Sequence, residues 1–476
     1  MTRRHLSTLS VIDLPPNNKR ISVPGDYPKL EPIIARSRRF QPVAQHLKRS
    51  SILVAWAFLL ASCSSTPPKS LVTPLPPVTK QPLVQKPQHN EPVRGVWLAT
   101  VSRLDWPPVS SVNGDSPASR IQQQQKALTD KLDNLKNLGI NTVFFQVKPD
   151  GTALWPSRIL PWSDMLTGKI GQDPGYDPLQ FMLDEAHKRG MKVHAWFNPY
   201  RVSTNTRPGT VAELNRTLSL NPASVFVLHR DWIRTAGDRY VLDPGIPEAR
   251  DWIASIVAEV VSRYPVDGVQ FDDYFYAESA GSALNDNATW RQYGQGFASK
   301  ADWRRNNTQQ LIAHVSRTIK QINPNVEFGV SPAGVWRNRS HDPAGSDTRG
   351  AAAYDESFAD TRRWVQQGLL DYIAPQLYWP FARDAARYDV LAKWWADVVK
   401  PTHTRLYIGV ALYKVGEPSS KEPDWTVKGG VPELKKQLDL NESEPQIDGT
   451  ILFREDNLNQ PQAQDAVRYL RSRWGS

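Results

Sequence analysis

Eight short apolar runs, each followed by a helical pattern, constrain this chain more than any other feature. The runs cover 95–100, 142–147, 192–197, 268–271, 327–330, 372–378, 406–412 and 450–453. Helical spacing marks 125–138, 178–189, 302–322, 360–367, 385–399, 431–440 and 460–474. The clearest stripe is Trp252, Ile253, Ile256, Val257, Val260, Val261 and Tyr264. Strand-then-helix repeated in this way predicts an α/β chain folded as a (β/α)8 TIM-type barrel with long strand-to-helix loops. A doubly wound sheet is the alternative architecture. The third strand is followed by an insertion, 201–247, that reads partly as a hairpin.

The connections differ by end. Helix-to-strand links are as short as Gly139, Arg189-Gly190, Tyr264-Pro265 and Gly368. Strand-to-helix links are long: 148–177, 198–247, 273–301, 332–358 and 413–430. Loops at that end of a (β/α)8 barrel build the active site, so one deep cleft is expected there.

Alternation along a strand then selects candidate residues. In 268–271, Val269 and Phe271 suit packing against helices, which turns Gly268, Gln270 and Asp272 into the barrel. Asp272 therefore stands at the mouth, with Asp273 beside it but directed to the opposite side. The same parity joins Gln146, Lys148 and Asp150, then Trp196 and Asn198, then Gln376 and Tyr378. The last strand ends at Arg454-Glu455-Asp456, where parity does not decide which residue points inward.

Carboxylates, amides and aromatics gathered at a mouth suit glycoside hydrolysis, which needs one carboxylic acid and one carboxylate. Asp272, Asp273, Asp150 and Glu455 are the expected catalytic candidates, and Glu278 in the following loop is a further one. Lys148, Trp196, Asn198, Arg201, Gln270, Gln376 and Tyr378 are the expected substrate contacts. The chain has 17 tryptophans, whose indole faces can stack on sugar C–H faces. Trp97, Trp106, Trp155, Trp162, Trp196, Trp336 and Trp379 fall near the presumed mouth, and two or three of them are expected to touch sugar. No HExxH, phosphate loop or GxSxG motif occurs, and the nine histidines lack ligand spacing. No metal and no cofactor are expected.

The net charge of +10 is concentrated at the N-terminus. Residues 1–62 hold ten Lys/Arg and three Asp/Glu, or +7, which leaves +3 for the remainder. That balance gives no reason to expect a nucleic-acid partner. Lys48-Arg49, an apolar run from Ile52 to Ala61 and then Leu60-Ala61-Ser62-Cys63 form an export signal ending in a lipobox-like sequence. The run, at about ten residues, is too short to span a bilayer, which needs ~20. The single cysteine, Cys63, is thus the expected lipidation site and membrane anchor. The 47 residues before Lys48 far exceed a normal basic flank, so the translation start is read as called too early, with Val43 or Leu47 as alternatives. The chain divides into an export signal (1–62), a lipidated cysteine with a proline-rich tether (63–92) and the barrel (93–476). Eight prolines lie in 64–92, a composition that extends at ~3.1 Å per residue.

Four segments carry a family resemblance: Val93-Arg-Gly-Val-Trp-Leu-Ala-Thr-Val-Ser-Arg-Leu-Asp105-Trp-Pro-Pro, Phe145-Gln-Val-Lys-Pro-Asp150, Ala195-Trp-Phe-Asn-Pro-Tyr200 and Asp267-Gly-Val-Gln-Phe-Asp-Asp-Tyr-Phe-Tyr276. Together they resemble the glycosyl hydrolase-like family ten proteins over about 92–476. Within that family the resemblance is to enterobacterial division-site members. It implies an outer-membrane lipoprotein on the periplasmic side, enriched at the septum. It also implies that the chain cuts peptidoglycan glycan strands already stripped of stem peptides, with division-site proteins as further partners. The alternative is a barrel that holds such strands without cutting them. The fourth-strand segment loosely resembles the chitinase DGxDxDxE pattern through Asp267, Gly268 and Asp272. Gln270 and Tyr274 replace an Asp and the acid Glu, so the chitinase mechanism does not carry over.

Overall fold

The computed structural model describes residues 91–113, 116–276 and 284–475. The export signal, Cys63, the tether and Glu278 lie outside them. Among the described residues no helix is long and apolar enough to cross a membrane.

Ten strands form among the described residues, in chain order β1 (Val93–Leu98), β2 (Thr142–Lys148), β3 (Lys192–Phe197), β4 (Ile233–Ala236), β5 (Arg239–Leu242), β6 (Gly268–Phe271), β7 (Glu327–Val330), β8 (Tyr372–Ile373), β9 (Arg405–Val410) and β10 (Ile447–Leu452). Eight of them close a barrel in the order β1-β10-β9-β8-β7-β6-β3-β2. Neighbours pair in parallel throughout, including the closing β1–β10 pair. The chain is therefore the (β/α)8 barrel its alternation predicts. β4 and β5 are the antiparallel hairpin of the insertion.

Helices begin where local chemistry directs. In the helix Pro117–Asn137, Ser116 accepts from Ser119 N at 3.1 Å and Pro117 takes the first turn. In Pro178–Lys188, Asp177 accepts from Gln180 N at 3.0 Å. β8 stops after two residues although an apolar run continues to Tyr378. Pro375 has no N–H for the ladder, and Gln376 N instead donates to Pro332 O at 3.0 Å.

Two apolar layers result. Val269, Phe271, Val330 and Ile373 face outward into the shell shared with the helices. Trp97, Phe144, Trp196, Tyr372, Tyr407 and Ile451 fill the barrel itself. Two glycines create room for the larger rings. A Cβ on Gly268 would lie 2.3 Å from His194 Nδ1, and one on Gly329 2.2 Å from Tyr372 Cε2.

A repeated device ties the strand beginnings together. Asn141, Asp267, Asp371 and Asp448 each accept from a backbone N–H near the start of the neighbouring strand, at Arg94, Val193, Phe328 and Leu406. The base of the barrel is thus sealed by side chains, and the opposite end is left to the long loops.

Candidate active site

The mouth is built from the ends of β2, β3, β6 and β8. Asp272 follows β6, and its Oδ1 and Oδ2 accept from Tyr274 N at 3.3 Å and Trp196 Nε1 at 3.2 Å. Its inward direction, derived from alternation, holds. Asp273 departs from the expected direction. The backbone leaves the extended form after Phe271, so alternation no longer applies. Asp273 Oδ1 accepts from Gln376 Nε2 at 3.3 Å. One carboxyl leans toward β3, the other toward β8, and both face the mouth.

Burial raises both acids, because a charged carboxylate is poorly solvated there. Asp272 is pushed up to about 7, with Asp273 adding to the effect of burial and Arg201 opposing it. Asp273 is pushed up to about 6 by burial, against its hydrogen bonds and Arg201. Close to neutral pH the two acids therefore hold about one proton between them, and their titration belongs to the pair. Such a pair can present a proton donor and a carboxylate at once, which is what cleavage of a glycosidic bond requires.

Around the pair stand Lys148, Asp150 and Arg201. Lys148 is buried and donates to Asn198 O at 2.7 Å and Pro199 O at 3.3 Å. Burial lowers it to about 7, against the charges of Asp150 and Asp272. Asp150 accepts from Thr152 Oγ1 at 2.5 Å and Thr152 N at 3.0 Å, and burial raises it too. Arg201 donates through Nη1 to Pro149 O at 3.2 Å, and its guanidinium lies 4.8 Å from the Tyr274 ring centroid. Gln376 holds the β7 end by donating to Ser331 O at 3.0 Å, and its Oε1 is buried without a partner. Tyr378 packs edge-on against Tyr413 beside Phe453.

Two expected contacts and one expected catalytic acid lie deeper in the protein or away from the pair. Gln270 is fully buried inside the barrel, accepting from Trp97 Nε1 at 2.6 Å and facing the Tyr372 hydroxyl at 3.4 Å. It braces the floor below the acids. Asn198 is likewise fully buried, and its Oδ1 accepts from Arg201 N at 3.0 Å, shaping the loop that carries Arg201. Glu455 stands apart from the acid pair. It is ion-paired with Lys131 on the helix Pro117–Asn137, and burial raises it to about 7.

Among the tryptophans, Trp97, Trp106, Trp155 and Trp336 are buried. Trp162 and Trp379 are only partly buried, and Trp196 lends its N–H to Asp272. Alternation did not find Tyr274, Asp164 or Arg239. Asp164 is raised to about 6 by burial and then by Asp150. Arg239 enters only because the hairpin folds back beside Arg201, a tertiary event with no local sequence signal. Among the described residues no group of three or more His, Cys, Asp or Glu side chains is placed to hold a metal ion.

A parallel (β/α)8 barrel with a buried acid pair at its mouth defines the class: a glycoside hydrolase-type barrel. The family profile of Glycosyl hydrolase-like 10 matches residues 92–427, and the chain belongs to that family. It is 78% identical over 430 residues to glycosyl hydrolase DigH of Escherichia coli (strain K12), covering 90% of this chain and 98% of that protein. It is 42% identical over 385 residues to glycosyl hydrolase YngK of Bacillus subtilis (strain 168), covering 80% and 72%. Among solved structures, the PgaB (BpsB) glycoside hydrolase domain from Bordetella bronchiseptica matches with TM-score 0.46 and 16% identity, covering 79% of this chain and 98% of that one.

Proposed function

We propose that this chain hydrolyses glycosidic bonds in peptidoglycan glycan strands from which the stem peptides have been removed. Asp272 and Asp273 divide the work. The protonated member of the pair delivers its proton to the leaving oxygen, and the ionised member acts at the anomeric carbon directly or through water. The observation that carries this reading is the buried pair at the mouth, raised to about 7 and about 6. The partly exposed Trp162 and Trp379 offer ring faces for sugars. The choice of peptide-free strands rests on the resemblance of the motif segments to the division-site members of the family.

The protein works, in this reading, from the periplasmic face of the outer membrane. A lipid on Cys63 holds it there, and it is enriched at the septum with division-site proteins nearby. Ser64 follows the cysteine, in place of the Asp associated with inner-membrane retention. The tether of 63–92 lets the barrel reach the glycan layer.

The experiment is digestion of intact sacculi and of sacculi pre-treated with an amidase, followed by mass analysis of the soluble products. Glycan fragments should be released much faster from the treated sacculi. Equal rates would remove the peptide-free preference. Binding without any release would leave the holding role in its place. Fractionation of Cys63→Ala tests the anchor: the variant should lose its acyl chains and its membrane association, and an acylated variant would refute the lipobox reading.

A further inference from the structure

The insertion carries the sheet face of Arg201 outward to a second cavity. Residues 200–203 run along β5 as a third strand: Leu242 N donates to Tyr200 O and Val202 N to Tyr240 O, both at 2.9 Å. Arg201 stands opposite Val241, and Val241 stands opposite Arg234 on β4. Residues directly opposite one another across antiparallel strands share a face. Arg201 and Arg234 therefore lie on the same side of this small sheet, two strand spacings or ~10 Å apart at the backbone. Arg234 lines a cavity of about 400 Å³. One wall comes from the insertion and the start of the helix Pro247–Arg263, the other from the helix Asn287–Tyr293 in the connection after β6. Both are strand-to-helix connections, so the cavity belongs to the mouth end of the barrel.

The walls are held together by the protein's own bonds. Arg234 pairs with the fully buried Asp243 at 3.0 Å and donates to Thr289 Oγ1 at 3.3 Å, and Thr289 itself donates to Asp243. The charge of Arg234 is thereby matched inside the wall. At the rim stand Asp231, Glu248 and Gln292, all exposed, and the Tyr293 hydroxyl accepts from Gln292 Nε2 at 3.1 Å. Two carboxylates, an amide and a phenol offer several acceptors and two donor groups. A sugar ring presents hydroxyl donors to such acceptors, and an acetamido group can use the amide and the phenol. The same carboxylates repel an anion. In a peptide-free strand the muramic acid units carry a free lactyl carboxylate, whereas the N-acetylglucosamine units between them are uncharged. The lining suits the uncharged unit.

We propose that this cavity is a remote subsite that grips an N-acetylglucosamine unit of a strand whose scissile bond lies at the acid pair. The proposal rests on the glycan-strand function put forward above. Long strands, which reach from the acids past Arg201 to the cavity, gain from it, and short ones do not.

The test is calorimetry on the full chain carrying Asp272→Asn, so that peptide-free glycan oligomers of graded length stay intact during titration. Affinity should rise in a step once an oligomer is long enough to reach the cavity. Adding Glu248→Ala with Gln292→Ala should remove that step. Long oligomers should bind about 10-fold more weakly, the scale of one or two lost hydrogen bonds, and short ones should bind unchanged. Both side chains are exposed, melting curves check that the variant folds, and Gln292→Ala alone should remove part of the step. The loss should be the same for oligomers whose lactyl carboxyls are converted to methylamides, because the unit gripped carries none. A loss that depends on the lactyl carboxyl overturns the assignment of the unit. A double variant that matches its parent at every length overturns the subsite, as does an equal loss at every length, and both results leave the proposed function standing. A parent that binds no oligomer of any length rejects that function, and the subsite with it.

Discussion

At the base of the barrel, Asp267 accepts from Val193 N and pairs with His187 at 2.9 Å, and Asp371 accepts from Phe328 N and pairs with Lys320 at 2.7 Å. At the mouth, Asp272 has one long bond from an indole, one from a backbone N–H, and a second carboxyl as its neighbour. The base acids keep part of their side chains in contact with solvent, whereas Asp272 is buried. Partners and access to water separate a structural acid from a chemical one. A carboxylate with a basic side chain and a strand N–H as partners stabilises the sheet. A carboxyl crowded by another acid and cut off from water keeps a proton it can give away.

Activity separates the two ends most strongly. Asp272→Asn keeps the shape of the side chain and removes its acid–base capacity, so turnover should fall at least ~100-fold while glycan affinity changes little. Near-normal turnover would transfer the role to Asp273 or Asp150. The pH profile comes next. Above about 7 the pair loses the proton bound for the leaving oxygen, and below about 6 it loses the carboxylate. Turnover should therefore be bell-shaped between those values, and a flat profile from pH 5 to 9 would exclude the pair. The base acids should answer differently. Asp371→Ala leaves Phe328 N without its acceptor, so unfolding free energy should drop by ~1–3 kcal/mol. Turnover should stay within about two-fold, because Asp371 is at the other end of the barrel from the acid pair. A turnover loss on the scale expected for Asp272→Asn would erase the distinction between the ends.

Much of this was legible in the sequence, and the losses have physical causes. The barrel could be read because eight buried parallel strands must be near-continuous apolar runs, and 192–197, 268–271 and 327–330 match β3, β6 and β7 residue for residue. Asp272 was legible because Val269 and Phe271 fix the phase of a strand. Asp273 was misdirected because phase ends where the strand does. Gln270 and Asn198 share the inward parity of the mouth residues, but parity carries no depth, and both are fully buried. Parity left Glu455 undecided, and Lys131, 324 residues away in the sequence, pairs with it from the outer helix. Arg239 was invisible because its position depends on the hairpin pairing with 200–203.

The measurement that tests the contrast most directly is melting of the unsubstituted chain, Asp272→Asn and Asp371→Ala at pH 4 and pH 8. The folded-state value of Asp272 is raised from 3.8 to about 7. Its contribution to stability is therefore full below 3.8 and lost as pH rises through about 7, because the folded chain holds a proton that the unfolded chain gives up. Asparagine mimics the protonated form at every pH. The melting temperature of Asp272→Asn relative to the unsubstituted chain should therefore climb from pH 4 to pH 8. At pH 8 Asp371→Ala should melt below the unsubstituted chain. If the gap for Asp272→Asn instead stays constant or shrinks toward pH 8, Asp272 is an ordinary paired carboxylate and the account of the mouth is wrong.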